Sequence, residues 1–469
     1  MKYSNGKLAN WPFILVFTVA LASAGFGQAS AQPFLEDIRV HSEVVPQPSG
    51  TPLVRRTGST VPAASAPAPA GRAIRTSIPV LAEAAIPGNS GVLVETLDGN
   101  LVVESGSDLA FNPASNVKIA TAYAILKTFG PDYRFPTNVW TDGSYEEATG
   151  TIYGNLYVSG RDPVFVSEHG VLLASELNRM GIRVVKGDLV VTDNFSINYS
   201  TSPLRSAQAL FATLDSGKRP AAASRAWSNF LINSGRLNLE SAVPSVTFTG
   251  GVYVQPMPGN VNLLFSHESP AMRDVLKATL CYSNNFLSER LGDMVGGPFG
   301  VARLVHQHAG VTPQEFSIQT SSGLGINRVT PSAMMKLLRV LRRDLSSYKM
   351  TFADIMPVAG IDRGTLENRF KSDFSLGSVV GKTGTLGNTD GGVSALAGEI
   401  NTRGGKFLFV IFNQRGSVAR FRSFQNSYVS LIQGQFGGPS SLSYTEIPLN
   451  ARLAKVRITY PDGRRPNED

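Results

Sequence analysis

The chain has 469 residues, 42% of them hydrophobic, and a formal net charge of +8. That length and apolar content support a large self-sufficient core, and a single cysteine, Cys281, rules out an internal disulfide. There is no basic stripe with interleaved aromatics, no Cys/His metal spacing among the five histidines and no Gly-rich phosphate loop, so neither nucleic acid, metal nor cofactor is expected.

Residues 1–31 read as a secretory signal. Lys2 and Lys7 precede an apolar stretch from Trp11 to about Phe26, and Ala29-Ser30-Ala31 offers a cleavage site after Ala31. The stretch is short of the about 20 residues a bilayer span needs. An exported, periplasmic protein is therefore expected, with at most peripheral membrane association; an uncleaved anchor is the alternative. Residues 32–78 are rich in Pro, Ala, Ser and Thr and carry Arg55, Arg56, Arg72 and Arg75, the composition of an extended leader. A simple spacer is the favoured reading and a tether the alternative.

The folded part begins near Gly91-Val92-Leu93-Val94-Glu95, and Asp98-Gly99 predicts a hairpin turn before Leu101-Val102-Val103. Next comes Asn112-Pro113-Ala114, then Ser115-Asn116-Val117-Lys118. Proline suits the first positions of a helix. The segment to Lys127 is apolar nearly all round, which predicts a buried helix ended by Phe129-Gly130-Pro131. Ser115 and Lys118 are three apart and share one helical face. A buried lysine loses solvation for its ammonium, so its neutral amine becomes accessible near neutral pH and can take a serine proton.

Ser283-Asn284-Asn285 lies 168 residues beyond Ser115, far more than one helical layer needs. An inserted accessory domain is expected over 138–262, with strand-like runs such as Thr151 to Ser159 and Arg183 to Val191. Ser283-Asn284-Asn285 itself reads as a junction between two helical stretches. There Ser283 can relay a proton from Lys118, and Asn285 can hold Lys118 and a substrate amide. By itself this triplet is no more than a Ser/Asn turn or cap. Cys281 nearby has no histidine partner and reads as a small buried hydrophobe.

Lys382-Thr383-Gly384 follows Ser378-Val379-Val380-Gly381 and precedes Thr385-Leu386. Two further strand-like runs follow, from Gly392 to Gly398 and from Lys406 to Phe412, predicting an antiparallel meander. Gly384 lets another backbone lie close. Lys382 offers a cation and Thr383 a hydroxyl, a pairing suited to a substrate carboxylate. Val418 to Phe436 reads as a closing helix, and the tail 441–469 is left open between packing and trailing. Each of the three short motifs is weak alone; in this order they spell a serine acyl-transfer site with lysine in the place of histidine.

On these motifs the chain resembles the low-molecular-mass class C penicillin-binding proteins, which are D-alanyl-D-alanine carboxypeptidases and endopeptidases. Further stretches carry the resemblance, from about Pro79 to Gly437: Gly154 to Gly160 with Asp162-Pro163, Gly187 to Val191, Ser322-Gly323-Leu324, and Pro357 to Gly360. It implies an α/β (α+β) chain with the penicillin-binding/serine β-lactamase-like fold, an antiparallel sheet covered by helices. The D,D-peptidase domain would be discontinuous, 79–137 with 263–440, around a mainly β insertion. Ser115 would be the acylated nucleophile and Lys118 its base. Ser283 and Asn285 would form the second motif, while Lys382 and Thr383 would anchor the substrate carboxylate. The backbone N–H groups of Ser115 and Thr385 would form the oxyanion hole.

Peptidoglycan stem peptides are the implied substrates and β-lactams the implied covalent inhibitors. Oligomeric state is not indicated. Two departures stand out: Thr320 to Gly325 replaces the usual Asp-Gly-Ser-Gly-Leu-Ser, and Arg161 interrupts a Gly-rich turn, read as an accessory variation. A β-lactamase or esterase on the same scaffold and a non-catalytic peptidoglycan-binding protein remain the alternatives.

Overall fold

The computed structural model describes residues 73–237 and 243–461. The signal expected over 1–31, most of the leader and the last eight residues lie outside the described residues.

The central sheet has six strands, all paired antiparallel, in the order Arg75–Thr76, Leu101–Ser105, Asn89–Thr96, Gly405–Gln414, Val393–Thr402, Val379–Leu386. The hairpin at Asp98-Gly99 forms as the sequence predicts, with Gly99 at φ +86°. Val393–Thr402 is buried at every position, because helices cover both faces. Side chains on a strand alternate between faces, and the core divides accordingly. Val410 and Phe412 join Ile119, Leu276 and Leu338 in the larger cluster. Phe409 and Ile411 join Tyr428, Val429 and Ile432 of the closing helix Val418–Gln435 in another.

Five helices build the first face: Val117–Phe129, Met272–Tyr282, Asn285–Asp293, Gly297–Ala309 and Pro331–Ser347. Their ends follow local chemistry. Thr330 caps Pro331–Ser347 by accepting from Ala333 N, with Pro331 at the first turn. That helix buries Met334, Leu337, Leu338, Leu341 and Leu345, a stripe at three- and four-residue spacing.

A second, six-stranded sheet runs Val252–Val254, Leu189–Val191, Leu156–Gly160, Pro136–Thr141, Asn262–Glu268, Arg457–Thr459. A four-stranded sheet runs Thr247–Phe248, Val184–Val185, Thr151–Tyr153, Ser144–Glu146. Each long strand-like run of the sequence is thus divided between two sheets, and the chain turns sharply between them. At one such corner a Cβ on Gly187 would lie 2.2 Å from the Gly154 carbonyl oxygen, so only glycine fits. Three helices accompany these strands: Ser167–Arg179, Pro203–Leu214 and Ala221–Ser234. The tail packs: Arg457–Thr459 pairs with Asn262–Glu268, and Val456 joins Trp227 and Phe230 in a small core.

Candidate active site

Ser115 sits in a short 3-10 turn, Ala114–Asn116, that runs directly into the buried helix Val117–Phe129. Ala114 is fully buried and left-handed at φ +46°, and its N–H donates to Asn112 Oδ1 at 3.0 Å. One turn on, Lys118 is 1% exposed. Its Nζ lies 3.1 Å from Ser115 Oγ, 2.7 Å from Asn285 Oδ1 and 2.6 Å from the Ser322 carbonyl oxygen. Burial first, then the charge of Lys382, pulls the Lys118 ammonium well below the ordinary lysine range; Glu289 opposes them.

The helix Met272–Tyr282 stops at Ser283, which is left-handed at φ 56°, and Asn284 caps the next helix by accepting from Leu287 N. This break is the junction expected from the sequence. It brings Asn285 to Lys118. One helical turn further, the Glu289 carboxylate accepts from Ser322 N at 2.9 Å and Ser321 N at 3.1 Å. Thr121 Oγ1 and Ser288 Oγ both donate to the Ser321 carbonyl, at 2.6 and 2.8 Å. The loop that offers Ser322 to Lys118 is therefore fixed from two helices. Behind it, Lys277 and Asp362 form a buried ion pair of 2.6 Å, and Lys277 Nζ also donates to the Ala353 and Met356 carbonyls.

Val379–Leu386 is the edge strand of the central sheet. A Cβ on Gly384 would stand 2.5 Å from Pro113 O, so glycine is what lets this strand lie against the turn carrying Ser115. Lys382 shares that face by alternation. It is fully buried, donates to Thr383 O at 2.8 Å, and burial pulls its ammonium down to about 7. Thr383 is half-buried, while Thr385 is exposed and accepts from Arg422 Nη2 at 2.9 Å.

Ser115, Lys118 and Asn285 thus share one hydrogen-bond network, and Lys382 is near enough to act on Lys118 through charge. Ser283, Thr383, Gly384 and Thr385 make no direct bond to Lys118 among the described residues. Cys281 is fully buried, and burial pushes its thiol up to about 12, the inert small hydrophobe expected. Sequence reasoning missed Asn112, Glu289 and the Ser322 carbonyl. Glu289 had a signal, standing four residues after Asn285; a backbone carbonyl has none. Arg161 lines a recess with Asp162, Asn194, Arg290 and Asp293, between the accessory layer and the helix carrying Asn285.

Fold and site together define a serine enzyme of the penicillin-binding/β-lactamase-like fold. A match to the D-Ala-D-Ala carboxypeptidase 3 (S13) family covers residues 79–203 and 236–432, and the chain belongs to that family. It is 24% identical over 420 residues to a D-alanyl-D-alanine carboxypeptidase of Actinomadura sp. (strain R39), covering 69% of this chain and 77% of that one. To the D-alanyl-D-alanine carboxypeptidase DacB of Haemophilus influenzae it is 22% identical over 416 residues, 69% and 85% of the two chains. Among solved structures it resembles the penicillin G-acylated predatory endopeptidase Bd3459 of Bdellovibrio bacteriovorus. There the TM-score is 0.65 at 22% identity, over 76% of this chain and 96% of that one. The protein is a serine-type D-Ala-D-Ala carboxypeptidase of that family.

Proposed function

We propose that Ser115 attacks the D-Ala carbonyl of peptidoglycan stem peptides with Lys118 as its base. The observation that carries this is the set of three oxygens around Lys118 Nζ. A neutral amine has two N–H groups and one lone pair. Asn285 Oδ1 and the Ser322 carbonyl are acceptors and take the two N–H groups. The lone pair is left for the Ser115 hydroxyl, the only one of the three that can donate. The proton passes from Oγ to Nζ as Oγ bonds the carbonyl carbon. The C–N bond then breaks, and the leaving amine takes that proton by way of Ser283 Oγ. Water completes the cycle by hydrolysing the ester. Backbone N–H groups of Ser115 and Thr385 receive the developing oxyanion, and Lys382 with Thr383 receives the carboxylate of the leaving residue.

Terminal D-Ala fits this chemistry, and so do D-Ala cross-links whose leaving amine stands beside a free carboxylate on its diamino acid. The curated relatives are named carboxypeptidases and Bd3459 an endopeptidase. The acylation of Bd3459 by penicillin G supports β-lactams as covalent inhibitors here. An exported, periplasmic location agrees with a wall substrate; among the described residues no helix is long and apolar enough to cross a membrane.

Intact-mass measurement after penicillin, followed by peptide mapping, tests the nucleophile; an adduct on another serine sinks the assignment. Incubation with monomeric and cross-linked muropeptides tests the reaction. Dimers that persist while pentapeptides are trimmed restrict it to carboxypeptidase, and rapid penicillin turnover in place of a lasting adduct favours a β-lactamase.

A further inference from the structure

We propose that Asp390 is a positioning residue for Ser115, a latch that ties together the three segments supplying the reacting groups. This rests on the reading of Ser115 as the acylated nucleophile.

Asp390 lies in the turn that follows the edge strand Val379–Leu386, and it is left-handed at φ 50°. A non-glycine residue there carries backbone strain that the surroundings must hold in place. Its carboxylate makes three bonds. Oδ1 accepts from Arg328 Nη2 at 2.8 Å, while Oδ2 accepts from Arg328 Nη1 at 3.0 Å and from Asn112 Nδ2 at 2.8 Å. Arg328 follows the loop whose Ser322 carbonyl holds Lys118. Asn112 precedes the turn that carries Ser115.

Asn112 is fully buried and its amide is saturated. Nδ2 donates to Asp390 and, at 2.9 Å, to the Gly325 carbonyl, while Oδ1 accepts from Ala114 N. Only one orientation of this amide works. Flipped, its oxygen would face a carboxylate and a carbonyl, and its NH2 would face an N–H. Asp390, together with the Gly325 carbonyl, therefore fixes which atom Asn112 presents to Ala114. That contact anchors the N–H of Ala114, the left-handed residue from which Ser115 enters its helix. Asp390 touches no reacting atom; it acts through Asn112, Ala114 and Arg328.

The test is acylation of the mature protein by a fluorescent penicillin. Rates over a range of drug concentrations separate the noncovalent dissociation constant from the acylation rate constant. Asp390→Ala should lower the rate constant roughly tenfold to a hundredfold, the scale of a misplaced reacting group, with the dissociation constant within about threefold. Asp390→Asn, which keeps an acceptor for Asn112 but loses the paired guanidinium, should fall between wild type and Asp390→Ala. Adding Asn112→Ala to Asp390→Ala should cost little more, since both act through the same N–H.

Arg219→Ala serves as the control for lost stability. Among the described residues Arg219 donates only to carbonyls away from the cleft, those of Thr213, Leu214 and Pro244. If a matched loss of melting temperature in Arg219→Ala slows acylation equally, the latch is overturned. It is overturned too if Asp390→Ala acylates within twofold of wild type, or if its loss lies in the dissociation constant. An unchanged Asp390→Ala beside a wild type labelled on Ser115 removes the latch alone. A wild type with no adduct on Ser115 removes both readings, since there is then no reacting serine to position.

Discussion

Lys118 in the cleft and Asp162 in the accessory layer are almost equally buried, at 1% and 2% exposure, yet they are treated differently. Lys118 has a fixed partner for every direction its amine can use, two acceptors for its N–H groups and the Ser115 hydroxyl for its lone pair. Lys277 behind it is likewise held, by two carbonyls and a carboxylate. Among the described residues the Asp162 carboxylate makes one bond, from Val164 N to Oδ1 at 2.9 Å, and its Oδ2 has no partner. Glu168 Oε2 and both ring nitrogens of His267 also lack one. Burial pushes Asp162 and Glu168 up to about 7 and His169 down to about 3. The difference teaches that burial alone only suppresses charge. A buried group becomes chemically useful when fixed partners decide where its protons and lone pair point.

The widest break of this contrast is Lys118→Arg. Arginine cannot become neutral, so it offers no lone pair to Ser115 however well it packs. Acylation by penicillin should fall roughly 10²–10⁴-fold, the usual contribution of a general base, with an unchanged circular dichroism spectrum. A folded Lys118→Arg protein that labels at nearly the wild-type rate removes Lys118 from its role. A smaller loss is expected for Glu289→Ala. It frees Ser321 N and Ser322 N, so the Ser322 carbonyl no longer fixes one N–H of Lys118. About a tenfold fall in acylation rate should be seen, corresponding to about one charge-assisted hydrogen bond.

Lys382 sharpens the comparison because among the described residues it is buried with a single carbonyl partner, and burial pulls its ammonium down to about 7. Its ammonium should be lost as pH rises through that value. Binding of a carboxylate substrate should then weaken severalfold between pH 6 and 8, while an amidated D-Ala–D-Ala terminus, poor throughout, shows no such fall. Parallel profiles for acid and amide would separate Lys382 from the carboxylate.

How much of this was legible in the sequence follows from strand length and from what a residue type can reveal. Val393–Thr402 and Gly405–Gln414 run ten residues each and are buried on both faces over most of their length, so their apolar runs stand out. The accessory strands are two to six residues long between Asn138 and Val254, and bend from one sheet to another, so two strands read as one. Its helices went unread; Ser167–Arg179 is buried at most of its positions, and with Ser167, His169 and Glu176 among the buried ones it shows no clean polar face. Ser115, Lys118 and Asn285, which share one hydrogen-bond network, and Lys382 beside them announced themselves through residue type and spacing. Asn112 and Asp390 did not. They are 278 residues apart, and only the pairing of the edge strand with its neighbours brings them together. The tail's course depended on a strand partner, Asn262–Glu268, nearly 200 residues away, which no local pattern of Arg457–Thr459 could indicate.

The smallest expected effect tests the accessory side of the contrast. The Asp162 carboxyl is raised from 3.8 to about 7 by burial, against one backbone bond that favours the charged form. The folded protein therefore holds a proton that the unfolded chain releases once pH exceeds about 4. The stability this gives is complete below that pH and is lost as pH rises through 7. Asp162→Asn keeps the Oδ1 acceptor for Val164 N and cannot titrate. Near pH 4 it should melt within a degree or so of wild type, both side chains being neutral there. At pH 8 it should melt higher by roughly 2 °C or more, a shift suited to a chain of this size. Thermal unfolding of the two proteins across pH 4 to 8 checks this. Parallel curves would mean that Asp162 stays ionised in the fold, so that the accessory layer holds a charge without a fixed partner and the contrast with Lys118 fails.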